Sequence, residues 1–158
     1  LKQDDYDSAD DLARQFALLC GPGAVPGRFG GVGEHAMETV AAGADSHIAR
    51  LHVPAAAPYF VDHFPRRAVF PATLLLDQAM RVATALVDVD PARPRRVARV
   101  QNVKMRDFIA PGEDVLLKVA RIDARDDDDA RVKLTATIGE RTMATAQMGF
   151  ASAGVAAA

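Results

Sequence analysis

The chain has 158 residues, 49% of them hydrophobic and 25% charged, which suits one domain with an apolar core of its own. A formal net charge of −2 excludes a global attraction to nucleic acid or to an anionic membrane, so neither is expected as a partner. The single cysteine, Cys20, excludes an internal disulfide and fits a reducing cytoplasm. No apolar run reaches the roughly 18 residues needed to span a bilayer, and the acidic start Asp4, Asp5, Asp7 is wrong for a signal peptide. The chain begins with Leu1 instead of Met, which fits a fragment or a processed product.

Taken in order, Ser8, Asp10 and Asp11 followed by Leu12, Phe16 and Leu19 predict a capped amphipathic helix ending at Gly21-Pro22-Gly23. The glycines from Gly21 to Gly33 lack the Gly-Lys-Ser/Thr of a phosphate cradle and read as a linker, so residues 1–35 form an N-terminal helix and Gly-rich connection. From Ala36 to Val53 a loose alternation broken at Gly43-Ala44-Asp45 predicts two strands and a turn. An irregular stretch from Pro58 to Phe70 leads to the strongest helix signal, over 71–87, opened by Pro71 and stopped by Asp90-Pro91. Its Leu, Met, Val and Ala positions cover most of the circumference, leaving Asp77, Arg81, Thr84 and Asp88 as a narrow polar stripe. Three long runs follow: Arg96 to Phe108, Glu113 to Ala124 and Arg131 to Phe150. In the last, Val132, Leu134, Ala136 and Ile138 alternate with polar neighbours, and Gly139-Glu140 fits a two-residue II′ hairpin turn. Asp126 to Asp129 read as a solvated turn, and residues 152–158 as a loose tail.

One apolar helix followed by consecutive antiparallel strands requires the sheet to curl around that helix, an α+β arrangement. The run His63-Phe64-Pro65-Arg66-Arg67-Ala68-Val69-Phe70-Pro71-Ala72-Thr73-Leu74-Leu75-Leu76-Asp77 resembles the bacterial 3-hydroxyacyl-[acyl carrier protein] dehydratases. There a His-Phe-Pro-Gly loop leads to a Pro-Gly helix start and then an acid, with the same fourteen-position separation of His and acid. Downstream, Val103-Lys104-Met105-Arg106 and Ile109-Ala110-Pro111-Gly112-Glu113-Asp114-Val115 resemble that family's strand and Pro-Gly-acid turn. The resemblance implies a hotdog domain over 36–151, an antiparallel sheet wrapped around a long central helix. It also implies a site shared between two copies, hence a homodimer or paired hotdogs, and an acyl thioester substrate on acyl carrier protein or coenzyme A.

The residue types suit the chemistry. Dehydration of a 3-hydroxyacyl thioester needs a base for the α-proton, an acid for the leaving hydroxyl and N–H donors for the thioester oxygen. His63 is the candidate base and Asp77 the candidate acid. The unpaired N–H of Ala72 or Thr73 at the helix start is the candidate donor, with Phe70 and Arg81 completing the substrate-binding set. No cofactor or metal is expected; His47 and His52 fall on opposite faces of a strand and share no ion. Four departures bear on activity: Ala72 and Arg66 replace family glycines, Ala68 replaces a proline, and Arg81 replaces a glutamine with a cation that holds Asp77 in its charged form. Three functions stay open: a dehydratase, which ranks first, a hotdog thioesterase or isomerase, and a non-catalytic acyl-binding partner. Arg93, Arg95, Arg96 and Arg99 form a candidate basic patch for an acidic carrier, with ordinary solvated arginines as the alternative.

Overall fold

The computed structural model describes residues 9–10, 13, 35–55, 57, 59–62, 67–87, 94–124 and 129–152. Of the expected N-terminal helix, Ala9, Asp10 and Ala13 are helical, and its remainder, with the linker, lies outside the described residues. Six strands form one antiparallel sheet: β1 (Met37–Ala42), β2 (Ser46–His52), β3 (Arg95–Met105), β4 (Asp114–Ile122), β5 (Ala130–Ile138) and β6 (Arg141–Ser152). Their order is β1-β2-β4-β5-β6-β3, so β1 and β3 are the two edges. A short helix, α1 (Tyr59–Asp62), precedes the long helix α2 (Ala72–Val87), which packs against β2, β3, β4 and β5.

The period-2 pattern produces this wrap. Ala49 opposes Leu117, Leu117 opposes Ala136 and Ala136 opposes Ala144, giving one inward row across four strands. A second row runs Val119, Leu134, Ala146. All seven of these side chains are buried. Against them α2 presents Leu75, Ala79, Val82, Ala83, Leu86 and Val87, and each large aliphatic side chain so buried stabilises the fold by about 1.5–3 kcal/mol. The opposite face of α2 is more open than its composition predicts. Leu74, Leu76 and Met80 are half-buried, and Thr73 and Arg81 are exposed.

The ends of the elements have identifiable causes. The first intrahelical bond of α2 runs from Leu75 N–H to the Pro71 carbonyl at 3.1 Å, so Pro71 is the cap residue and the helical conformation begins at Ala72. At the other end Arg121 Nη2 donates to the Leu86 carbonyl at 2.8 Å and Arg95 Nη1 to the Val87 carbonyl at 3.0 Å. Two cations from β4 and β3 thus satisfy carbonyls at the negative end of the helix dipole. Gly139 at φ 56° is followed by Glu140, whose φ is not positive, which is the II′ geometry expected. Between β4 and β5, Asp129 accepts bonds from the backbone N–H and hydroxyl of Ser152. Among the described residues no helix is long and apolar enough to cross a membrane.

Candidate active site

The start of α2 opens onto a cleft of about 360 Å³ lined by Val69, Phe70, Ala72, Met105, Phe108 and Ile109, together with Arg106 and Asp107. Phe70 is held there by its N–H, which donates to the Ile109 carbonyl at 2.8 Å, fixing the loop before the helix to the segment after β3. Because Leu75 makes the first helical bond, the N–H groups of Ala72 and Thr73 have no partner inside the helix. Ala72 lines the cleft, so its N–H is the better placed of the two; Thr73 is exposed.

Asp77 lies on the half-open face of the same helix. Its Oδ2 accepts from Gln78 Nε2 at 2.9 Å and from Arg81 Nε at 3.3 Å. Gln78 is buried, a polar side chain in the core whose amide is used to hold the carboxylate. The Asp77–Arg81 pair is an i, i+4 bridge with side chains 46% and 45% exposed, so by itself it is worth at most about 1 kcal/mol. His63 lies outside the described residues, as do Arg66 and Arg93.

Two aromatic residues that sequence reasoning left without a role converge on this place. His35 Nε2 lies 3.0 Å from the Tyr59 hydroxyl. The His35 ring packs edge-on against Phe70, with centroids 5.1 Å apart, and Tyr59 meets Phe70 at 6.1 Å. Burial pushes the His35 imidazole below its usual range; the Asp77 carboxylate pulls it back up and the Arg81 guanidinium pushes it down. Burial also raises the Tyr59 hydroxyl to about 12, so it keeps its proton at neutral pH. The His47 and His52 side chains have other partners, Thr39 and Asp114 respectively. Among the described residues no three His, Cys, Asp or Glu side chains are grouped to hold a metal.

The family model of ApeI-like dehydratases matches residues 39–147. The 3-hydroxyacyl-[acyl-carrier-protein] dehydratase FabZ of Chlamydia caviae is 27% identical over 111 residues, covering 67% of this chain and 71% of the relative. Among solved structures, the dehydratase heterocomplex ApeI:P from Xenorhabdus doucetiae superposes with TM-score 0.59 at 17% identity, over 75% of this chain and 98% of that one. Zebra fish thioesterase superfamily member 2 does so with TM-score 0.58 at 11% identity, over 75% and 81%. At these identities the structural likeness establishes the hotdog fold and no more.

Proposed function

Because the chain belongs to the ApeI-like dehydratase family, we propose that it removes water from 3-hydroxyacyl thioesters in the cytoplasm, giving 2-enoyl thioesters for fatty-acid or related acyl biosynthesis. The observation that carries this reading is the apolar cleft at the unpaired start of a helix that bears a hydrogen-bonded carboxylate one turn further along. His63 takes the proton from C2. The C2–C3 double bond forms as the C3–O bond breaks, and Asp77 passes a proton to the departing hydroxyl, which leaves as water. The Ala72 N–H, with the dipole of α2 behind it, polarises the thioester carbonyl while charge builds on its oxygen. Phe70 walls the cleft, and Arg81, which donates to Asp77 Oδ2, acts as a brake on it.

The shared site of this reading needs two hotdogs, and β3 offers the means. It is a sheet edge with no further strand paired to it among the described residues; Val100, Val103 and Met105 are exposed on it, and Phe108, also exposed, follows just after its end. A homodimer through this edge is the arrangement proposed. The second reading is a subunit that completes another hotdog's site without turnover of its own; the Arg81 clamp on Asp77 favours it, and ApeI is itself part of a dehydratase heterocomplex. Incubating the protein with 3-hydroxyacyl and 2-enoyl thioesters of several lengths, with mass-spectrometric readout, decides between them. Interconversion of the two supports the dehydratase, free acid supports a thioesterase, and no reaction supports the partner subunit.

Carrier recognition is proposed on the basic face beside the cleft. Arg95 belongs to the cap of α2, so it is a poor reporter of docking. Arg96 is exposed, and Lys104, Arg106 and Lys133 line an open groove of about 380 Å³ with Asn102, Thr145 and Gln147; Arg106 also borders the cleft. Replacing Arg96 and Lys104 with Glu should weaken turnover of a carrier-linked substrate by roughly tenfold at low salt, less at high salt, and spare a short thioester mimic. Equal effects on both substrates would count against docking here.

A further inference from the structure

His35 precedes β1 and falls outside the span matched by the family model, residues 39–147. Nothing in the mechanism above uses it, yet its ring packs on Phe70, which walls the cleft. Its Nε2 is occupied by Tyr59, its ring by Phe70, and its Nδ1 is buried with no hydrogen-bond partner among the described residues. A neutral imidazole carries one donor and one acceptor nitrogen, so whichever tautomer is present, a polar atom is left unsatisfied out of water. Native structures rarely keep such an atom without a use for it. The surroundings indicate the use, because the ring is within electrostatic reach of both Asp77 and Arg81.

We propose that His35 Nδ1 is a substrate-binding group that holds the 3-oxygen of the acyl thioester beside Asp77, an inference that rests on the dehydratase reading. With the Tyr59 hydroxyl donating to Nε2, the proton sits on Nδ1, which then donates to the substrate oxygen. The choice of oxygen follows from position. The thioester carbonyl is served by the N–H groups at the start of α2, whereas the charges that His35 senses belong to the carboxylate and guanidinium one and two turns along. Of the two nitrogens only Nδ1 is available, since Nε2 is fixed to Tyr59.

Two substitutions separate this role from plain packing. Asn presents its amide near the place of Nδ1, and Gln presents its amide near the place of Nε2. The probes are 2,2-difluoro-3-hydroxyacyl pantetheine thioesters of butyryl and decanoyl length and their counterparts lacking the hydroxyl; none has an α-hydrogen to eliminate. Calorimetric titration should show that the wild type prefers the hydroxylated probe by about tenfold, the scale of one hydrogen bond to a buried group. His35→Gln should lose that preference and His35→Asn keep it. Any other pattern, including a preference kept in both variants, lost in both or absent in the wild type, overturns the proposal. A readout without a variant guards against misfolding: the ¹⁵N resonance of His35 Nδ1 should shift with the hydroxylated probe and not with its counterpart, and equal responses would equally refute it. Both measurements report binding alone. Turnover without the preference refutes only the role of His35, and the preference without turnover refutes only the dehydratase reading.

Discussion

Replacing His63 with Ala is expected to lower dehydration by roughly 10²–10⁴-fold, the usual cost of removing a general acid–base group, while leaving the melting temperature and the far-ultraviolet circular dichroism unchanged. The reason for expecting so large an effect lies in the rest of the site. In the proposed mechanism the helix-start N–H groups and the cleft bind and polarise the thioester, but neither can accept the α-proton. Asp77, already engaged by Gln78 and Arg81, is no substitute base. Arg81→Gln is the companion experiment, since it restores the residue of the resembling dehydratases. Asp77 then loses the guanidinium on Oδ2 while Gln78 still holds it, and kcat should rise, because that oxygen is freed to meet the leaving hydroxyl. Full activity in His63→Ala would defeat the proposed mechanism. If the wild type and Arg81→Gln are both inert toward every 3-hydroxyacyl thioester, the partner-subunit reading takes its place.

What the sequence revealed and what it hid follow one division, between local and long-range causes. The alternation of β5, the II′ turn at Gly139-Glu140 and the extent of α2 between Pro71 and Val87 depend on neighbours a few residues away, and each is legible in the pattern. The closing of α2 is different. No glycine follows Val87 to end the helix; its last carbonyls are met by Arg95 and Arg121, the latter 35 positions from its acceptor. In the same way β3 reads as an ordinary strand, yet its register against β6 slips between Gln101 and Lys104, and Asn102 there adopts φ 53°. Asparagine tolerates that conformation, but only the pairing with β6 demands it. Asn102 Nδ2 then donates to Gln147 Oε1 at 3.0 Å across the two strands. At the site, Asp77 and Ala72 stand out in the sequence because they belong to a spaced motif, and both lie on α2. His35 and Tyr59 were missed because their contact spans 24 residues and belongs to no periodicity. The one available signal was a histidine at the end of a glycine-rich stretch, which by itself points nowhere.

Charging the exposed edge of β3 is expected to abolish both assembly and turnover. Val100→Lys with Val103→Lys places two ammonium groups on a strand whose outer edge has no partner among the described residues, and charged edges block strand pairing. The two positions suit the test because both side chains are already exposed in the single chain, at 39% and 42%, so the substitutions cost the isolated fold little. Met105, which shares the edge but also lines the cleft, is left in place. Light scattering should report a monomer, circular dichroism an unchanged fold, and activity a loss of roughly 10²-fold or more, since His63 and Asp77 of one shared site would sit on separated molecules. A double-lysine variant that is monomeric and turns over at the wild-type rate would show that each chain carries a complete site. One that remains dimeric and active would show that the copies meet elsewhere, and the open face of α2, with half-buried Leu74, Leu76 and Met80, is then the next surface to charge.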